Sequence, residues 1–154
     1  DTPPIVTRMQ NEVLAILSEA EDFESYASKL TVAQEVLAHY LERVDEGSVA
    51  IEELVISKRL TRSPRDYQKA SLTAIAAQQL FGRNVKLRPG QVIEYVITDA
   101  DAAVPNDRVR AYALWEGWHG YDKKKYQEML REAFELFLKP LSSKFQQFTP
   151  QRYG

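Results

Sequence analysis

The sequence has 154 residues, 44% of them hydrophobic, and a net charge of −2 at pH 7, which suits a single domain that buries a core without staples. It holds no cysteine and two histidines, His39 and His119, which excludes disulfides, thiolate-bound zinc and a cysteine nucleophile, and argues against a His-rich metal site or a compact triad. No apolar run is long enough to cross a bilayer and no basic-then-apolar leader opens the chain, so the expectation is an intracellular, cytoplasmic protein without a membrane partner.

The net charge hides an asymmetry. Residues 1–54 carry 3 Lys/Arg against 12 Asp/Glu, a net −9; residues 55–110 carry 10 against 5, a net +5; residues 111–154 carry 7 against 5, a net +2. A surface for a polyanion should therefore be one-sided and central, unless the two charge lobes simply attract each other.

Asp1-Thr2-Pro3-Pro4 predicts a helix start, because Asp or Thr can cap and Pro is tolerated where no backbone donor is needed. Ile5, Val6, Met9, Val13, Ile16 and Leu17 then repeat at a helical period. Asp22 and Ser25 are candidate caps for a second helix, whose apolar residues Phe23, Tyr26, Leu30, Val32, Val36, Leu37, Tyr40 and Leu41 carry it to about Arg43, before Asp45-Glu46-Gly47-Ser48 breaks it. His39 reads as a packed or surface residue, because no second ligand is spaced to help it hold a metal.

Glu52 to Ile56 is expected to be a short strand or an extended entry into a basic turn. Ser63 to Tyr67 is a loop or a new helix start, followed by a third helix through Ala70, Leu72, Ile75, Ala76, Gln79 and Leu80 that ends at Phe81-Gly82. The alanines at 70, 74, 76 and 77 should let another element approach closely. Pro89-Gly90 is a turn pair, and Val92, Ile93, Tyr95, Val96 and Ile97 form a β-rich run.

Asp99 and Asp101 lie in a polar loop that lacks the further residues of a calcium site. From Val104 to Tyr121 the pattern is irregular, and Trp115 and Trp118 are expected to plug a core. Asp122 should cap a last long helix with Tyr126, Met129, Leu130, Ala133, Phe134, Phe137 and Leu138 on its apolar face. Lys123, Lys124 and Lys125 occupy its first turn, the end that the helix dipole makes unfavourable for cations. The fold class expected is mainly α (α+β), a single helical domain over 1–154 with a small β insertion.

No Gly-rich phosphate loop, Gly-x-Ser-x-Gly elbow or His-Glu-x-x-His pair occurs, so the chain has no recognisable catalytic or metal-binding residue. Five cations, Lys58, Arg59, Arg62, Arg65 and Lys69, instead surround Pro64 and Tyr67 just after an apolar run. That pattern suits gripping a polyanion, and the alternative is a solvated turn.

The run from Leu54 to Tyr67, followed by an Ala-rich helix and then Pro89 to Ile97, resembles the thumb region of family B DNA polymerases of archaeal type. Asp107 to Ala111 stands in the place of that family's Arg-Ala segment, Tyr121-Asp122-Lys123-Lys124-Lys125-Tyr126 is similar to its Tyr-Asp-x-x-x-Tyr helix start, and Asp1 to Val6 with Gln10 and Val13 resembles the start of the thumb. Where the family usually has a Pro-His pair after the Tyr, Ser71-Leu72-Thr73 stands here. The palm signatures, Tyr-x-Asp-Thr-Asp and Asp-x-x-Ser-Leu-Tyr-Pro, are absent.

The resemblance implies a helical thumb that grips primer–template DNA across its minor groove. Catalysis, and the magnesium that serves it, would then reside in a palm on another segment or chain, whether the chain is excised from a full polymerase or completes a split one as a small subunit. Carried onto this chain, it implies phosphate contacts from Arg59, Arg62, Arg65 and Lys69, a groove contact from Lys58, and a Tyr67 that positions the turn or bonds a phosphate oxygen, the alternative for Tyr67 being simple packing. Arg83, Lys86 and Arg88 would extend the track, with Lys123, Lys124 and Lys125 as further candidates. A duplex grip that accepts every sequence needs cations for phosphates and little base reading. Two other readings remain open: a stand-alone DNA- or protein-binding module on the same fold, and a helical adaptor whose acidic half, Glu12 to Glu53, docks a basic protein.

Overall fold

The computed structural model of the chain describes residues 2–60, 71–82, 88 and 90–146, with side chains as far as residue 140. Among the described residues the order is α1 (Pro4–Leu17), α2 (Phe23–Glu46), β1 (Ile56–Arg59), α3 (Leu72–Phe81), β2 (Val92–Ile97), β3 (Val109–Ala111) and α4 (Lys123–Gln146). The result is the helix-dominated α+β fold expected from the sequence. No helix among the described residues is long and apolar enough to cross a membrane. The chain divides into two compact units, Asp1–Pro4 with Val49–Lys125, and Ile5–Ser48 with Tyr126–Gly154.

The second unit is helical. On α1 the buried residues are Ile5, Val6, Met9, Val13 and Leu17, one stripe of a 3.6-residue period. Helix α2 is fastened at both ends by its own sequence. The Ser25 N–H donates to the Asp22 carboxylate at 2.8 Å and the Asp22 N–H donates to Ser25 Oγ at 3.1 Å, a reciprocal capping box. At the other end Gly47 adopts φ 73°, and its N–H and that of Ser48 return to the carbonyls of Val44 and Arg43. The helix therefore runs three residues past the expected Arg43, because the left-handed glycine stops it and Asp45 does not. Its buried positions are Tyr26, Ala33, Tyr40 and Val44; Phe23 and Val32, expected in the stripe, are exposed.

Polar side chains join these helices. The Tyr40 hydroxyl donates to Glu12 Oε1 at 2.5 Å, linking α2 to α1, and Gln127 Nε2 donates to the Leu41 carbonyl at 3.0 Å, linking α4 to α2. Burial of Tyr40, and then its bond to the Glu12 carboxylate, push that phenol well above the usual tyrosine range. Tyr126, Leu130 and Phe134 complete the apolar side at intervals of four.

The first unit is a three-stranded antiparallel sheet in the order β1-β2-β3, with Ile56 opposite Tyr95, Arg59 opposite Val92, and Val96 opposite Arg110. The expected strand at Glu52–Ile56 is displaced. Ile51–Leu54 forms a 3-10 turn, and the strand comprises Ile56 to Arg59, because pairing with β2 recruits the polar residues Ser57 to Arg59 into the ladder. Helix α3 is capped by Ser71, whose hydroxyl accepts the Ala74 N–H at 3.1 Å, so the residue standing in place of the family's Pro-His pair begins the helix. Its Ala74, Ala76 and Ala77 are buried, and the helix packs on β2 and β3 at close range as small residues permit. Gly82, read as a C-terminal stop, has an ordinary right-handed conformation.

Strand β3, in the stretch expected to be irregular, has only three residues and a second partner that is not a strand. Gln79 of α3 donates Nε2 to the Val109 carbonyl and accepts the Ala111 N–H with Oε1, both at 2.8 Å. The amide thus occupies the backbone groups that β3 presents on the side away from β2, as a paired strand would.

Candidate nucleic-acid interface

Beyond Arg59 the ladder continues through Leu60, whose N–H donates to the Gln91 carbonyl at 2.6 Å and whose carbonyl accepts the Gly90 N–H at 2.6 Å. Gly90 has φ 90°, a conformation that a residue with a Cβ adopts only under strain. Gln91 clamps the turn twice: its N–H returns to the Arg88 carbonyl and its side-chain oxygen accepts the Arg88 N–H, each at 3.1 Å. Arg59 Nη1 then donates to the Gly90 carbonyl at 2.6 Å.

Lys58, Arg59 and Arg88 are thereby brought to one end of the sheet, all exposed. Arg59 commits one of the guanidinium's five donors to the turn. Successive strand side chains alternate between faces, so Lys58 and Arg59 flank the strand end on opposite sides. Arg62, Arg65, Tyr67 and Lys69, with Arg83 and Lys86, lie outside the described residues, as does the helix start expected at Ser63–Tyr67.

The three lysines of α4 lie elsewhere. Asp122 accepts the Lys125 N–H at 2.9 Å and the Ala100 N–H at 2.8 Å, while its own N–H donates to the Ile97 carbonyl at 2.9 Å. Lys123, Lys124 and Lys125 are thus tied to the Ile97 end of β2, whereas Arg59 pairs at Val92. Five residue steps along the strand separate the two ends, about 17 Å. The Asp122 carboxylate at the helix start also offsets part of the unfavourable field on those lysines.

Asp99 accepts the Asp101 N–H at 3.3 Å, so the two residues form a local turn. Among the described residues no group of three or more His, Asp or Glu is placed to hold a metal ion.

Sequence reasoning missed Gln79, Gln91 and the character of Trp118. Trp115 is half-buried and Trp118 is 76% exposed, so the pair does not plug a core. Gly117 and Gly120 around Trp118 were a signal that the indole sits on a loop.

Residues 1–142 match the family model described as DNA polymerase family B. The chain belongs to that family. It is similar to the DNA polymerase of Thermococcus sp. (strain 9oN-7), 29% identical over 140 residues, which cover 90% of this chain and 17% of that protein. It is also similar to the DNA polymerase of Thermococcus litoralis, 30% identical over 97 residues, covering 62% of this chain and 6% of that protein. Among solved structures, the family B DNA polymerase from the hyperthermophilic archaeon Pyrobaculum calidifontis superposes with a TM-score of 0.72 at 19% identity, over 90% of this chain and 17% of that one. That likeness is one of fold. The family B region seen here therefore spans at most about a sixth of the length of these relatives.

Proposed function

We propose that this family B region is the thumb of a DNA-directed DNA polymerase, gripping the primer–template duplex by its phosphates while a palm on another segment or chain performs nucleotidyl transfer. The observation that carries the reading is the meeting of Lys58, Arg59 and Arg88 at one end of a sheet whose turn is locked by Gly90 and Gln91. A fixed turn holds cations at a set spacing without the entropy of ordering a loop on binding. The residues that follow Leu60 and precede Arg88 in sequence add Arg62, Arg65, Lys69, Arg83 and Lys86. Lys123, Lys124 and Lys125 form a separate basic group, suited to a later turn of the same duplex. On this reading the partners are duplex DNA and the palm and fingers, and the chain works in the cytoplasm with the chromosome.

The test is fluorescence anisotropy of primer–template DNA over a salt series, for the chain and for a Lys58→Gln/Arg59→Gln/Arg88→Gln variant. Loss of three phosphate contacts should flatten the slope of log K against log salt by about two to three. A Lys58→Gln/Arg88→Gln variant keeps the Arg59 bond to the turn and should flatten it by about two. An unchanged slope in both variants would sink the assignment. Titration with a palm-containing partner separates a polymerase thumb from a stand-alone module, which would show no assembly.

A further inference from the structure

A cavity of about 300 Å³ opens in the sheet unit, lined by Thr98, Asn106, Asp107, Val109, Arg110, Trp118, His119 and Gly120. Its walls are held by bonds already in place. Thr98 Oγ1 donates to the Asp107 carbonyl at 2.7 Å, and Asn106 Oδ1 accepts from Gln79 Nε2 at 3.1 Å. Two features of the lining stand out among the described residues. The first is Arg110, whose Nε is closed to solvent and has no hydrogen-bond partner, so that a bond to a ligand in the cavity falls to its terminal nitrogens. The second is Trp118, the most exposed large apolar side chain described.

Trp118 is also pre-set. Its Nε1–H donates to the Glu116 carboxylate, and its ring stacks on His119 with centroids 3.8 Å apart at 28°. His119 is held in turn by the Glu116 backbone, whose N–H and carbonyl oxygen lie 2.9 and 3.0 Å from its Nδ1. An indole held in one orientation, with one face on His119 and most of its surface in water, offers its other face as a stacking platform. Arg110 and Asp107 offset one another in charge, so the cavity has little net field to draw in a bare phosphate. Recognition has to come from the aromatic face together with the guanidinium.

We propose that this cavity takes one unpaired nucleotide, its base stacked on Trp118 and its phosphate paired with Arg110. Such a site lies toward the Ile97 end of β2, away from Lys58, Arg59 and Arg88, and does not depend on them. The nucleotide has two sources, a residue of a single DNA strand or a free mononucleotide.

The experiment measures anisotropy of a labelled short oligo-dT, with labelled duplex in parallel, for the chain and for Trp118→Ala, Trp118→Phe and Arg110→Gln. Trp118→Ala should weaken single-strand binding roughly 5- to 150-fold, the range for one stacked base, and leave duplex binding unchanged. Trp118→Phe keeps a π face and should recover most of the loss. Arg110→Gln should flatten the single-strand salt slope by about 0.7. Competition by dTMP as strong as by unlabelled oligo-dT assigns the site to free nucleotides; competition by the oligonucleotide alone assigns it to a strand. Oligo-dT affinity unaltered in Trp118→Ala, equal losses on duplex and single strand in that variant, or displacement by inorganic phosphate as effective as by dTMP would overturn the proposal. Duplex binding that ignores the Lys58, Arg59 and Arg88 changes leaves this site standing, so the two readings fail separately.

Discussion

The helical unit and the sheet unit use polar side chains for opposite ends. In the helical unit each backbone satisfies most of its own donors and acceptors, so side-chain bonds are free to join one helix to another, as Tyr40 does with Glu12 and Gln127 with Leu41. In the sheet unit the strands are four, six and three residues long, too short and too few to satisfy themselves. There the side chains complete the backbone: Gln79 on β3, Arg59 and Gln91 on the Gly90 turn, and Asp122 on Ala100. A helix is a local solution, whereas a small sheet needs help from residues distant in sequence.

Three substitutions probe that contrast. Gln79→Ala removes the amide that bonds the buried Val109 and Ala111 backbone, leaving two groups unsatisfied, and should cost about 1–3 kcal/mol. Urea unfolding measures the loss, and faster native-state exchange of the Ala111 amide localises it. If Gln79→Ala unfolds at the urea concentration of the parent chain, the sheet unit does not need its side-chain supports and the contrast collapses.

Gly47→Ala asks whether α2 is terminated locally. A Cβ at φ 73° should destabilise the helical unit by roughly 1–2 kcal/mol, with no change in duplex affinity in the anisotropy assay.

Tyr40→Phe tests the helix-to-helix bond. Because Glu12 stays open to water, the expected cost is only about 0.5–1.5 kcal/mol near neutral pH. The phenol is raised in the folded state, so the native chain holds this proton more tightly than the unfolded one. Its stabilisation is complete below the unfolded value of 10.0 and declines as pH rises above it. The parent chain should therefore lose stability more steeply than Tyr40→Phe on the alkaline side, read from urea midpoints on either side of pH 10.

The helical unit was largely legible. The periods of α1 and α4 and the Asp22/Ser25 caps appear in the sequence as residue types at fixed offsets, as does the Asp122 cap in the sheet unit. The error at the end of α2 was one of weight: the two acidic residues before Gly47, Asp45 and Glu46, look like a break, yet only the glycine reaches the left-handed conformation. Phe23 and Val32 fit the helical period and still face water, because periodicity specifies an angle around an axis and leaves open whether anything packs there.

The sheet unit was legible where it is long, at Val92–Ile97, and illegible where it is short. Leu54–Ile56 looks like a strand by composition, while the ladder takes Ser57 to Arg59; Val109–Ala111 is too brief to show an alternation. The candidate site divides in the same way. That cations would surround the turn was visible in the residues, but not that Arg59 would bind the Gly90 carbonyl or that Lys123–Lys125 would stand at the far end of β2.

The sequence by itself determined the helical segments, the Asp22/Ser25 and Asp122 caps and the Gly47 and Gly90 turns, because each rests on contacts within a few residues of chain. Only the tertiary structure decided the register that makes Ser57–Arg59 a strand, the clamp of Gln79 on β3, the separation of the two lysine- and arginine-bearing groups, and the exposure of Trp118 over its cavity. Those depend on partners about 30 or more residues away, such as Ser57 with Glu94 and Gln79 with Val109, and a pairing of that kind has no signature in either segment alone.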